Sequence, residues 1–323
     1  MKKLNILFAI LCAAVLTTSC YKEEALDPNR EIVGLGGEEF KENDIDRWIW
    51  NNVTKPYNIE VKYRWDRSEL DYDKTLVPID EDKVIPAIMA LKMVWIEPYE
   101  KMVGVDFIRA YSPKKYVFVG SLKYNGQTVT LGEAEGGRKI TLYRMNQYDH
   151  TNRELVRDIV KTAHHEFTHI LNQTIRFAPE FDEVTPGGYE ASWTNTSDEK
   201  ALRLGFISNY ASSSPTEDFA EMVARICVFG ADFWAQRLKD AQEYWDKYDP
   251  TANNAVVMTY NPADALRTKE SLMVEYMKNT WNVNIYPTTD EITETTSAND
   301  KGLQYLVQEA IDNVVAGNYE INL

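Results

Sequence analysis

The stretch Ala163-His164-His165-Glu166-Phe167-Thr168-His169-Ile170-Leu171 decides how this chain is read. Upstream of it Leu155, Val156, Ile159 and Val160 continue the same apolar recurrence, with the period of an α-helix. Thr151 followed three residues later by Glu154 predicts a capping box at the start. The spacing therefore predicts one long amphipathic helix. His165 and His169, four residues apart, project within about 40° of each other on it, so both imidazoles can reach one metal ion. Glu166 stands a step round the helix, placed to take a proton from a metal-held water. His164 turns about 100° from His165 and is expected beside the site or at the surface. Asp149-His150 is expected to form a turn ahead of the helix.

All four histidines lie between positions 150 and 169 and none follows. Any third ligand from downstream must then be a carboxylate, completing a two-histidine, one-carboxylate set of the kind zinc accepts. The candidates are Glu180, Asp182, Glu183, Glu217, Asp218 and Glu221. The first three fall in a polar segment, 178–199, with Pro179 and Pro186-Gly187-Gly188, which reads as a loop too loose to hold a ligand. The others lie on a helix that Ser214-Pro215 opens, Ser as N-cap and Pro at the first helical position. Glu217 is the expected ligand. Glu221, one turn further, is expected within reach of the outer N–H of a ligand imidazole. Glu217 is also the third helical residue, where glutamate commonly caps; the two roles are compatible.

Composition narrows the partners. Fifty acidic against 35 basic side chains leave a net charge of −15, which excludes a nucleic-acid partner because phosphate recognition needs Lys and Arg. Three cysteines exclude multi-cysteine zinc sites. One of them, Cys227, lies in an apolar run and is expected as a buried thiol. Met1-Lys2-Lys3 followed by an apolar run over 4–16 reads as a signal peptide, residues 1–19, too short to span a membrane. Residues 20–42, with charges, glycines and a proline, read as a tether.

Further on, helices are predicted over 44–53, 86–103 (with Pro98 expected to bend it), 215–229, 231–248, 263–281 and 300–316, and strands over 59–65, 115–121, 127–131 and 138–145. The fold class is α+β. An N-terminal sheet-and-helix lobe, 43–175, carries the histidine helix, a mainly helical lobe, 176–323, carries the third ligand, and the active-site cleft lies between them. Strand 138–145 is a candidate sheet edge along which an extended peptide could pair. Trp48, Trp95, Trp234 and Trp281 occupy apolar helical positions, and core packing accounts for them without a carbohydrate site.

Three resemblances attach to these residues. Thr17-Thr18-Ser19-Cys20 resembles a bacterial lipobox, with Thr17 where Leu is usual, which implies that Cys20 is the acylated first residue of the mature protein. Lys22-Glu23-Glu24 resembles the surface-export signal of Bacteroidota lipoproteins. The His165-Glu166-x-x-His169 helix, lacking the further histidine and glycine of metzincins (Ile175 and Asn172 stand there), is similar to that of gluzincins. Glu217-Asp218-Phe219-Ala220-Glu221 resembles the lethal-factor-like branch, in which a Tyr seven residues before the ligand Glu faces the metal. That Tyr is Tyr210 here, and the resemblance implies that it bonds the developing oxyanion.

Taken together, the chain resembles the zinc-binding metallopeptidase lipoproteins of Bacteroidota associated with TonB-dependent nutrient import. The resemblance implies a zincin-like fold, a Zn²⁺ cofactor and hydrolysis of extracellular peptides or proteins. It also implies an outer-membrane, cell-surface location held by the N-terminal lipid alone, with a TonB-dependent import complex as partner. Two other functions share the same motifs: a zincin-fold lipoprotein that binds nutrients without catalysis, and a zinc hydrolase of non-peptide bonds. Against the former, a binding protein would have no need of Glu166.

Overall fold

The computed structural model describes residues 41–321, apart from 72, 127, 136–137 and 254–255. The signal peptide, Cys20 and the tether up to residue 40 lie outside the described residues. Residues 43–323 cluster as one unit.

That unit starts with α1 (Asp44–Ile49), closed at its N-terminus by a reciprocal pair in which the Asp46 N–H donates to Asn43 Oδ1 and the Asn43 N–H donates to Asp46 Oδ2. The long apolar run that follows forms α2 (Glu81–Leu91) and α3 (Glu97–Val103), joined by a widened π-type turn over Lys92–Ile96. Pro98 explains the widening. It has no N–H to give the carbonyl of Val94 four residues back, and helices open at such points. That carbonyl accepts instead from Nε2 of His164, 3.2 Å away. A short α4 (Val105–Tyr111) completes this layer.

Helix α5 (Arg153–Thr174) is the histidine helix, and its start corrects the capping box expected from Thr151 and Glu154. Asn152 is the cap: its Oδ1 accepts from the N–H groups of Glu154 and Leu155. Thr151 is engaged instead by Asp149, whose Oδ1 accepts both its N–H and its hydroxyl, the turn expected there. Asn and Thr are both good caps, and Asn152, one residue nearer the helix, has the extended backbone of the cap. Phe167 anchors α5, its ring packed at T-shaped angles on Trp95 and Tyr99 with centroids 5.4 and 5.0 Å away.

Among the described residues the main sheet has the order β1 (Glu60–Lys62), β2 (Lys115–Phe118), β6 (Lys139–Leu142), β5 (Gly132–Glu135). The first two neighbouring pairs are parallel, and β5 runs antiparallel to β6. Strands β3 (Lys123–Asn125) and β4 (Thr128–Thr130) form a separate hairpin. The expected edge is corrected: β6, within the predicted strand 138–145, is interior, and β5 stands at the end of the sheet. Gly-Glu-Ala-Glu carries too little apolar alternation to announce a strand.

Gly132 lets β5 lie directly against the histidine helix, since a Cβ built there would stand 2.2 Å from Thr162 Cγ2. Gly132→Ala should therefore cost about 1–3 kcal/mol in urea unfolding, as overpacking does. Adding Thr162→Ser, which removes that methyl, should recover most of the loss. A Gly132→Ala variant as stable as the parent would refute the close approach.

The remaining chain is helical. Helix α6 (Asp198–Arg203) precedes α7 (Pro215–Asp246), α8 (Pro262–Trp281), α9 (Ala298–Lys301) and α10 (Leu303–Val315). Gly230, at φ 84°, breaks α7 where the sequence predicted two helices. The carbonyls stranded at the break accept from side-chain amides of α10: Gln304 Nε2 donates to Ile226 O at 2.8 Å, Gln308 Nε2 to Cys227 O at 2.7 Å. Trp48, Trp95, Trp234, Trp281 and Cys227 are buried as expected, and side chains on both sides of residue 175 share one core. The architecture is α+β with a helical C-terminal part. No described helix is long and apolar enough to cross a membrane.

Candidate metal centre

Two helices meet to make the site. On α5 the rings of His165 and His169 lie 4.7 Å apart, nearly perpendicular. Helix α7 begins at Ser214, whose Oγ accepts the Glu217 N–H. The backbone of Glu217 is thus spent on the cap while its carboxylate turns to the imidazoles, and both expected roles coexist. Oε2 of Glu217 lies 2.9 Å from His165 Nε2 and 3.1 Å from His169 Nε2, and the two nitrogens are 3.1 Å apart.

These separations can be tested against zinc. Ligand atoms about 2.0–2.1 Å from one tetrahedral ion stand roughly 3.3 Å from each other. The observed triangle is close to that edge length, and among the described residues it is the group of three able to hold a metal ion. The donor set of two nitrogens and one oxygen fits zinc with a position left open.

The surroundings also call for a cation. Burial alone would depress the His165 imidazole, but Glu217 and Glu221 overcome it and raise it to about 9. Burial disfavours ionised Glu217, and the two imidazoles outweigh it, holding the carboxylate well below its usual range. Glu221 is fully buried; against that burial, Lys161 and Arg225 keep it ionised. Its Oε1 lies 3.1 Å from His165 Nδ1, off the angle of a straight hydrogen bond, and 3.3 Å from Lys161 Nζ. Its Oε2 accepts from Ser208 Oγ at 2.7 Å and Arg225 Nε at 2.5 Å. With neutral imidazoles, Glu166, Glu217 and Glu221 against Lys161 and Arg225 leave one negative charge over, which a divalent ion reverses.

Glu166 is half-buried beside this triangle, and burial pushes its carboxyl up while both imidazoles pull it down. Among the described residues no hydrogen bond holds its carboxylate. Tyr210, on a short turn over Tyr210–Ser213, stacks on the His165 ring at 5.7 Å. Burial first, then Glu217, raises its hydroxyl. His164 corrects one expectation: it is fully buried, Nε2 bonded to Val94 O and Nδ1 3.4 Å from Tyr99 Oη, so it belongs to the core behind the helix. Burial pushes it down to about 4, so it is neutral at pH 7.

The rejected carboxylates lie elsewhere. Glu180 and Glu183 are exposed, Asp182 pairs with Arg176 at 2.6 Å, and Asp218 is buried against Lys269, also at 2.6 Å. Four residues around the site escaped the sequence reading: Lys161, Ser208, Arg225 and Trp193. Lys161 lies four before His165 and Arg225 four after Glu221, a helical spacing that could have found them. Ser208 and Trp193 arrive through tertiary folding and carry no local signal.

Residues 38–286 match the sequence model of a family described as "putative zinc-binding metallo-peptidase". The chain is also similar to a crystal structure from Bacteroides caccae bearing the same description. The TM-score is 0.63 and the identity 27%, over 86% of this chain and 97% of that one. No curated protein matches.

Proposed function

Since the chain belongs to the zinc-binding metallopeptidase family so described, we propose that it is an active zinc peptidase whose ion is held by His165, His169 and Glu217. The observation that carries this reading is the convergence of Glu217 Oε2 on both Nε2 atoms. When bound, zinc supplies the Lewis acidity that makes water a nucleophile near neutral pH. Glu166 takes the proton of the attacking water and passes it to the leaving amine. Tyr210 donates its hydroxyl to the oxygen on which charge develops, its high pKa keeping that proton in place. Glu221 sets the tilt of the His165 ring through Nδ1. An extended substrate pairs with β5, the sheet edge beside the helix, and not with β6.

In this reading Cys20 carries lipid and holds the protein at the outer face of the outer membrane, near a TonB-dependent import system, where peptide or protein substrates are met. The mature protein should contain about one zinc per chain. Cleavage of a quenched-fluorescence peptide library should stop with 1,10-phenanthroline and return with added zinc. Zinc-loaded protein that cleaves no peptide would refute peptidase activity, and retention of zinc by His165→Ala/His169→Ala would refute the site.

A further inference from the structure

The segment from Glu190 to Asp198 is stapled at both ends to the turn that carries Tyr210. The Glu190 N–H donates to Ser212 O at 2.8 Å, and the Asn209 N–H donates to Asp198 Oδ1 at 2.8 Å. Between these ties the chain makes a tight turn, with Asn195 N–H on Ser192 O and Thr196 N–H on Trp193 O, and Thr196 is buried beneath it. The turn presents Trp193. Its indole meets the Tyr210 ring at 4.8 Å and 65°, and Tyr210 in turn stacks on His165. Trp193 is therefore two ring contacts from a metal ligand, on a wall fixed before any substrate arrives.

The chemistry of that wall is uncharged. From Ala191 to Ser197 the sequence has no ionisable side chain, and Ala191, Ser192, Thr194 and Asn195 are exposed around the indole. Trp193 is itself part-exposed, enough for a side chain to lie against. We propose that Trp193 is a specificity-determining residue: it lines a subsite beside the scissile bond and selects a bulky apolar side chain over an acidic one. An acidic side chain there would lose hydration against an aromatic ring with no cation in the turn to pair it.

This inference rests on the zinc-peptidase reading, and its test needs no turnover. Zinc-loaded protein is titrated calorimetrically with three hydroxamates, which anchor on zinc: benzyloxycarbonyl-leucine hydroxamate, its aspartate counterpart and acetohydroxamate, which has no side chain to place. The leucine compound should bind about 10-fold tighter than the aspartate compound, the scale of apolar-pocket discrimination. Trp193→Ala should bring the two within about 2-fold, and Trp193→Phe should keep the preference. Acetohydroxamate should bind parent and Trp193→Ala alike.

A preference that survives Trp193→Ala overturns the proposal, as does a preference for a glucosaminyl-serine hydroxamate that Trp193→Ala abolishes. Equal weakening of all three compounds, acetohydroxamate included, would mean that Trp193 only props Tyr210, and also overturns it. If the protein holds zinc and acetohydroxamate binds but the leucine compound binds no tighter than the aspartate compound, the subsite is wrong. If metal analysis of the same sample finds no zinc, the metal assignment has failed as well.

Discussion

Glu166→Gln is expected to bind zinc as the parent does and to lose at least about 10²-fold in kcat/KM, the lower end of what a positioned general base contributes. Glutamine has nearly the same shape, and the ligand atoms on His165, His169 and Glu217 do not involve residue 166. What it cannot do is accept a proton. The position suits the task physically: half-buried, next to two imidazoles, with a carboxyl that burial pushes up toward the range where a base can later act as acid. No hydrogen bond among the described residues ties it down. Zinc content by mass spectrometry and kcat/KM on the same preparation separate the two effects. Loss of zinc along with activity would mean that Glu166 shapes the metal site; full activity would falsify its role as base.

How far the sequence reaches is visible in this same helix. The α5 periodicity and the four-residue spacing of its histidines are local facts, and helix geometry turns them into a metal-facing pair without help from the fold. Ser214-Pro215 and Gly230 are equally local, a cap and a break written in residues that do little else so well. The place of Glu217 as the third helical residue follows from the cap. Illegible features are the ones two distant segments make together. The edge strand β5 is a strand because it pairs with β6, whatever its own composition. His164 is drawn inward by a carbonyl that Pro98 leaves without a donor on another helix. The polar loop over 178–199 reads as loose, yet its Phe181 packs on Phe219 beside the third ligand, as Phe177 just ahead of the loop does, and Tyr189 bonds to Asp218.

That last contact leads to the largest stability effect expected. Lys269 and Asp218 are both fully buried and 2.6 Å apart. Lys269 also donates to Gly205 O at 2.8 Å and lies 4.0 Å over the Phe206 ring; the Tyr189 hydroxyl donates to Asp218 Oδ2 at 3.0 Å. Burial pushes the Asp218 carboxyl up and the Lys269 ammonium down, and each is the charge that offsets the other's burial. Lys269→Met removes one charge and strands the other, which should cost about 3–5 kcal/mol in urea unfolding of the metal-free protein. Asp218→Leu added to Lys269→Met strands no charge and leaves only Gly205 O and the Tyr189 hydroxyl without these partners, so most of the loss should be recovered. The pair would then be a device for direction: it joins the loop at Tyr189, the turn at Gly205 and helix α8 to the residue beside Glu217, at little gain in stability over apolar packing. A Lys269→Met variant that loses less than about 1 kcal/mol would place the pair with exposed ion pairs, which contribute that little, and would undo the argument.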